Sequence, residues 1–423
     1  MTTVPVAVVG AGQAGLAVSR LLTDHGVDHV VLERGRTGER WRSRPWDALR
    51  LLTPNWMSRL PGWHYTGSDP AGYMPARSVG DYLTSYAQAF SAPVVHGADV
   101  ESVRSAGAGY QVSTTAGRWI AGSVVVATGW CDQASVPPTA SGLDPRLVQQ
   151  TAATFRSAAD LPDGGVLVVG ASSSGVQLAD EIAGSGRPVT LAVGSHSRLP
   201  RTYRGMDILW WLDGMGVLDR RTPVHIAPGG PAAEPSVQLV GRSDGRDVDL
   251  RSLQDRGIAL LGRLQGGEGT RIRFAPDLAG TSARADERLT NLLRRIDAYA
   301  RAVGLEDEIL AAPPTVPAIH PSETRTELDL TAAGIRSIVW STGYRRSYPW
   351  LHVPVLDEAG EIRHVAGSTA APGLHVVGMR MQTRRNSTFI DGVRHDAAAV
   401  VGRILDDLGA GASSASVALG RAA

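Results

Sequence analysis

The sequence of 423 residues contains no lysine; all 42 of its basic side chains are arginine. Lysine nucleophiles and Schiff-base chemistry are thereby excluded. Its single cysteine, Cys131, excludes an internal disulfide, a redox dithiol and any multi-cysteine metal centre. Charge of either sign is barely in excess: the formal net charge is +1, so no field directs the chain to nucleic acid or to an anionic membrane surface. No apolar run approaches the ~18 residues of a membrane span, and no charged-then-apolar leader precedes residue 4, so a cytoplasmic protein is expected. The histidines are scattered singly and never in ligand spacing, so no metal is expected. What remains is the composition of a globular protein, 43% hydrophobic and 20% charged, long enough for two or three domains.

The strongest positive signal lies in residues 4–33. An apolar run over residues 4–9 reads as a buried parallel strand. Gly10, Gly12 and Gly15 follow in the spacing G-x-G-x-x-G, then a helical pattern through Leu16, Val18, Leu21 and Leu22. A second apolar run, residues 27–32, ends on Glu33. The first glycine makes a tight turn, the second admits a diphosphate to the backbone, and the third lets helix and strand lie close. The helix N-terminus presents its positive dipole end to the diphosphate. Glu33 accepts hydrogen bonds from ribose hydroxyls and repels a 2′-phosphate, so FAD is the expected ligand here rather than NADP. A glycine-rich turn without a ligand is the bland alternative.

Further along, the arginine- and tryptophan-rich stretch around Trp41, Trp46, Trp56 and Trp63 is too long for a simple connection. It reads as an ordered wall over a ligand, although each tryptophan alone also suits core packing. Residues 79–90 carry Val79, Tyr82, Leu83, Tyr86 and Phe90 on one helical face, and residues 94–120 read as short strands with glycine turns. A buried strand then ends in the small-residue turn Ala127-Thr128-Gly129, where backbone can come close to a cofactor.

Residues 166–193 repeat the strand, glycine loop, helix, strand plan. Gly170, Ser172 and Gly175 stand in the loop, with serine at the middle position, and no acid closes the second strand. Ser195, Arg198, Arg201 and Arg204 follow instead. A hydroxyl beside guanidiniums suits a 2′-phosphate, which reads as NADPH; arginines on a solvated loop are the alternative. Past Met206 the signal weakens: ILWWLDGMGVLD looks helical, GGPAAEPS a loop and residues 286–303 an amphipathic helix. The WSTGY turn with Gly343 repeats the earlier Thr-Gly turn, and GLHVVG brings Gly378 to the end of another buried strand. A last helix follows NSTFIDG, and the tail from Ala410 is expected to lack structure.

The GAGQAG and GASSSG pair, the VVVATG and WSTGY turns and the closing NSTFIDGVRHDA resemble the two-dinucleotide-fold flavoprotein monooxygenases, the flavin-containing and Baeyer–Villiger group, in particular their short bacterial branch. RPWDALRLLTPNW, RLPRTYRGMDILWWL and DLRSLQDRGIALLGRL resemble that branch too. The resemblance implies an α/β fold of two Rossmann-like domains, with an NADPH domain (residues 158–331) inserted into a discontinuous FAD domain (residues 1–157 and 332–409), leaving 410–423 as tail. It implies that NADPH reduces the flavin, that O2 adds to the flavin's C4a carbon as a peroxide, and that one oxygen passes to a nitrogen, a sulfur or a carbonyl carbon. The group carries a histidine in the linker between its folds. PRLVQQTAATFR has Thr151 at that place and Phe155 at the following aromatic, which puts coupled oxygen transfer in doubt.

The cofactors would carry the chemistry. Arg42, after Trp41, is the candidate for holding an anionic peroxide. Asn55 is a candidate hydrogen-bonding amide near flavin and NADP, or a turn-holding asparagine. Asp391 and Asp396 are read as partners of the ribityl chain or as caps of the last helix. Arg34 and Val100 are counted with the FAD site. The expected partners are O2 and a small apolar or aromatic substrate lying against Trp46, Trp56, Trp63, Trp210 and Trp211, with a homodimer as the assembly. Two other readings compete: an NADPH-driven flavin oxidase or reductase without oxygen insertion, and a non-catalytic flavin-binding sensor.

Overall fold

The structure, a computed structural model, describes residues 1–221, 236–314, 316–320 and 325–420, with Ser236 and residues 410–420 described by backbone alone. The loop expected at GGPAAEPS lies, but for its last residue, outside them. Strand β1 (Thr2–Val9) leads through the first glycine loop into α1 (Gln13–Asp24) and returns as β2 (His29–Glu33). A short helix α2 (Glu39–Ser43) and an irregular excursion precede α3 (Ala76–Ala89). Then come β3 (Val94–His96) and an antiparallel meander of β4 (Val100–Ala106), β5 (Gly109–Thr114) and β6 (Gly117–Val126). The first sheet runs β3-β2-β1-β6-β5-β4, parallel from β3 to β6.

The second unit opens with β7 (Val148–Thr151) and β8 (Gly165–Val169), then α4 (Ser173–Gly184) and β9 (Val189–Ala192). Beyond it lie β10 (His196–Arg198), α5 (Ile208–Gly214), β11 (Ser236–Gln238), α6 (Leu250–Asp255), β12 (Ala259–Leu261) and the long α7 (Leu278–Ala302). Strand β13 (Ile335–Trp340) completes an all-parallel sheet in the order β7-β13-β8-β9-β12. The chain then returns to the first unit, where β14 (Leu374–Val376) pairs with β6, and ends in α8 (Val393–Gly420). Among the described residues no helix is long and apolar enough to cross a membrane.

Side-chain alternation explains both layers. Val6 and Val8 of β1 enter the core shared with α1, α3 and α8, while Ala7 and Val9 enter the core under the meander. In the second unit Val166 and Val168 face α4 and α6, and Leu167 and Val169 face the opposite core with Ile338 and Trp340. The two-unit α/β architecture with one unit inserted in the other is thus present, but its boundaries shift. β7 and β13 hydrogen-bond within the second sheet, although the expected divisions at 157 and 332 gave both to the first unit. An apolar strand does not announce which sheet it will join; its ladder partner does. The tail expected to be without structure is helical backbone up to Gly420, with 421–423 outside the described residues.

Candidate functional site

Both glycine loops are built on one pattern. Gly10 has φ +107° and Gly170 φ +103°, a region that L side chains avoid. A Cβ on Gly10 would meet the Ala127 carbonyl at 2.8 Å, and one on Gly170 would strike the Ser341 carbonyl. Each first glycine is therefore pressed against the end of its neighbouring strand, β6 or β13, where the two Thr-Gly turns begin. Gly15 and Gly175 each leave room for the carbonyl of the first glycine in their own loop. The middle position behaves differently. Gly12 (φ −84°, ψ −174°) and Ser172 (φ −82°, ψ −174°) share an ordinary extended conformation, and a Cβ on Gly12 would meet nothing within 4 Å. Glycine at 12 serves no backbone need of the protein; it leaves open space in front of the N-terminus of α1.

Glu33 ends β2 beside the first loop. Its Oε2 accepts the Ala11 N–H at 2.7 Å and its Oε1 the Gly35 N–H at 2.9 Å, which holds the carboxylate against the first glycine loop. Arg34 next to it points to solvent. The Trp41 indole donates to Gln13 Oε1 at 3.2 Å, setting its ring against the first turn of α1. Gly378 (φ +88°) lies so close to α1 that a Cβ would sit 2.9 Å from that of Ala14. Thr128 and Gly129 (φ +76°) are partly open at the end of β6, and Gly343 (φ +93°) is exposed just past β13, in the second unit. Val100 is a core residue at the start of β4, 9% exposed.

Several expected site residues are occupied elsewhere. The Arg42 guanidinium donates to Asp81 at 2.7 Å and to Thr84 at 3.0 Å on α3, so it is tied to the surface of that helix. The Asp391 carboxylate, 1% exposed, accepts from Arg59 Nε at 2.6 Å and faces Arg394 at 3.4 Å; its charge is answered within the protein. Asn55 donates to the Asp69 carbonyl at 2.9 Å, the turn-holding role, while its buried Oδ1 has no partner. Asp396, buried and bonded to Thr383, has its carboxyl pushed up by burial. Trp46 enters the core of the second unit, whereas Trp63 packs on Tyr82 and Tyr86 in the first. The expected tryptophan wall is therefore divided. Trp56, Trp210 and Phe389 remain together, half-buried, in a cluster fed by both units, with Trp211 fully buried behind Trp210.

The arginine ring of the second site is likewise spent on carboxylates. Arg198 pairs with Asp249 at 2.8 Å and Asp286 at 2.7 Å. Arg201, 2% exposed, donates to Asp207 and to the Leu52 carbonyl, and Arg204 pairs with Asp297 at 3.3 Å. Ser195 stays exposed past β9, and Arg263, just past the neighbouring strand β12, joins it: Nη2 donates to Ser195 Oγ at 2.7 Å, while Nε lies 3.8 Å from Asp277 Oδ2 in a pair whose guanidinium is 54% exposed. Symmetry with Glu33 points to Ser195, which follows the strand next to the loop-bearing one; Arg263 follows the strand beyond that, so no local pattern discloses it. Gln238 on β11 was also missed. Its Nε2 donates to the Ala171 carbonyl at 2.7 Å, while Ser173 Oγ donates to the Val237 carbonyl at 2.7 Å, laying β11 along the second loop. Burial pushes the Cys131 thiol up to about 11, so it is a poor nucleophile at neutral pH.

Two glycine-loop βαβ units in tandem, the first closed by an acid and the second by a hydroxyl and a guanidinium, define an oxidoreductase with two dinucleotide-binding folds. A CzcO-like oxidoreductase of Geobacillus kaustophilus is 30% identical over 406 residues, covering 95% of this chain and 99% of its own length. The chain belongs to that CzcO-like oxidoreductase family. The family profile described as pyridine nucleotide-disulphide oxidoreductase matches residues 7–206. Among solved structures, a flavin-containing monooxygenase from Stenotrophomonas maltophilia superposes with a TM-score of 0.69 at 19% identity, over 96% of this chain and 100% of that one. OTEMO, solved in complex with FAD and NADP, superposes with a TM-score of 0.54 at 11% identity, over 96% and 86% of the two chains. The last two are likenesses of fold.

Proposed function

We propose that the protein is an NADPH- and O2-dependent monooxygenase that places one oxygen atom on a nitrogen, a sulfur or a carbonyl carbon of a small apolar or aromatic molecule. Bound flavin, once reduced, supplies the oxygen-activating chemistry. The chain binds, orients and excludes water. Gly12 and the N-terminus of α1 take the FAD diphosphate, and Glu33 the adenosine ribose. Ser172 and the N-terminus of α4 take the diphosphate of NADPH, with Ser195 and Arg263 at its 2′-phosphate. The observation that carries the reading is the doubled cradle with a half-buried aromatic cluster, Trp56, Trp210 and Phe389, drawn from both units. Such a cluster offers an apolar surface where the two units meet. Turnover with NADPH under isotopically labelled O2 tests it: label in an organic product supports oxygen transfer.

One observation favours a second reading, an NADPH oxidase that releases hydrogen peroxide. Thr151 occupies the linker position of the expected histidine and closes on itself locally, its Oγ1 taking the Ala153 N–H at 3.3 Å and lying 3.2 Å from Thr154 Oγ1. It reaches neither cradle through these bonds. Peroxide released in proportion to NADPH, with no labelled product from any amine, sulfide or ketone tried, selects this reading.

A further inference from the structure

We propose that a cavity on the flank of α4 binds a compact dianion of the phosphate type, free phosphate or a phosphate monoester, at a site separate from both nucleotide cradles. The cavity encloses about 320 Å³, at the lower end of the ~300–1,000 Å³ of small-molecule sites. Its walls come from three segments: Gln177, Asp180 and Glu181 from α4, Arg242, Arg246 and Arg256 from the stretch around α6, and Arg50 from the excursion after α2. The NADPH cradle lies at the other end of α4. The lining residues of α4 run from Gln177 to Gly184, so they begin roughly 6 Å beyond Ser173 at ~1.5 Å per residue and continue towards the helix C-terminus, away from the loop.

Charge decides the ligand class. Asp180 is 3% exposed and accepts from three guanidiniums, Arg242 Nη1 at 2.9 Å, Arg246 Nη2 at 2.7 Å, and Arg256 Nη1. One carboxylate answers one of those charges, and Asp244, shared by Arg242 and Arg246, answers a second. Arg50 adds a fourth guanidinium, bonded to the neutral Tyr73 carbonyl at 2.8 Å. Of the remaining acids, Asp47 is paired with Arg77 at 3.0 Å and does not line the cavity, which leaves Glu181, whose Oε2 is buried without a partner. Burial, with Asp47 nearby, pushes its carboxyl up to about 7. Four guanidiniums against Asp180 and Asp244 leave an excess of two positive charges whenever Glu181 is protonated. Asp180 also fixes three planar groups in advance, so a ligand meets donors already in place. Guanidiniums gathered around one carboxylate suit a dianion whose charges share one centre over a dicarboxylate whose charges lie apart.

The test is calorimetric titration of the full-length holoprotein at constant ionic strength with inorganic phosphate, glycerol phosphate and succinate. One saturable site is expected for the two phosphates, with succinate weaker. Arg246→Gln and Arg256→Gln are expected to weaken phosphate binding about tenfold each, the effect of ~1.4 kcal/mol, and to leave NADPH affinity unchanged. Among the charged groups around it (Asp47, Arg50, Asp180, Arg242, Asp244, Arg246 and Arg256), Glu181 is the one acid without a cation, and Glu181→Gln is expected to tighten binding at pH 8. If an arginine variant does not fold, the Glu181→Gln result still decides. Absence of saturable binding, no tightening in Glu181→Gln, succinate binding equal to phosphate, or loss of the signal in Arg263→Ala or under saturating NADP would each overturn the proposal. A monoester binding more tightly than phosphate identifies the ligand as a phosphorylated metabolite; the reverse order identifies the free ion.

Discussion

Gly10 and Gly12 stand two positions apart and do different things. At Gly10 both the positive φ and the Ala127 carbonyl oppose a side chain, so Gly10→Ala is expected to cost on the order of 1–3 kcal/mol and lower the melting temperature. At Gly12 neither does. Gly12→Val is expected to remain within about 1 kcal/mol of the parent, the cost of a poor N-cap, and yet to purify without flavin. Melting temperature and flavin content measured together check this; a yellow Gly12→Val protein would contradict the first cradle. The arginines divide similarly. Arg263→Ala is expected to raise the Michaelis constant for NADPH about tenfold and leave that for NADH alone, as removal of a charge-assisted bond to a 2′-phosphate requires. Arg198→Ala leaves Asp249 and Asp286, 17% and 30% exposed, without their cation, and is expected to cost about 2 kcal/mol of stability. His375 carries a pH dependence. Burial lowers it from an ordinary 6.5 to about 4, with Nε2 unpartnered. The folded state therefore refuses a proton that the unfolded state takes, so its contribution is whole above pH 6.5 and drains away as pH falls towards 4. Denaturant midpoints across that window should fall less steeply in His375→Gln than in the parent.

At the scale of elements, what could be read beforehand was local. Strand, glycine loop, helix and strand fit within about thirty residues, and their spacing states the geometry outright. Thr-Gly turns at the ends of β6 and β13 were visible for the same reason. What escaped depends on partners distant in the chain. Arg198, Arg201 and Arg204 sit where a phosphate would be read, but Asp249, Asp207 and Asp297 claim them, and no pattern around residue 200 discloses a carboxylate near 297. β13 was misassigned because its apolar pattern suits either sheet. The place of β11 was equally hidden, since its three residues carry little periodicity. Laid along the second loop by Gln238 and Ser173, it has a consequence of its own. Gln238→Leu leaves the buried Ala171 carbonyl without a donor, a loss of about 1–3 kcal/mol. Its expected signature is a higher Michaelis constant for NADPH with flavin content unchanged. Loss of flavin in that variant would mean that β11 supports the whole molecule rather than one loop.

For the whole molecule the question is whether two units that share a chain also share a transition. Trp46 leaves the first unit after α2 and is buried, 4% exposed, beside Ala152, Phe155 and Leu161 of the second. Arg156 secures that crossing by donating to the carbonyls of Ser43 and Arg44 at 2.7 and 2.9 Å, at the C-terminal end of α2. Arg201 makes the reverse crossing: from the second unit it reaches the Leu52 carbonyl at 2.8 Å and lies 4.9 Å over the Tyr73 ring, both in the first unit's excursion. A buried tryptophan contributes about 3–5 kcal/mol against alanine, a large share of a domain's net stability. With both crossings intact, neither unit can open without exposing apolar surface of the other, so flavin release and loss of near-ultraviolet circular dichroism should coincide on heating. Trp46→Ala removes one crossing and leaves each glycine loop untouched. The two signals should then separate, the second unit melting first and the first held to higher temperature by its flavin. Coincident transitions in Trp46→Ala would show that the sheets are coupled by surfaces other than this side chain.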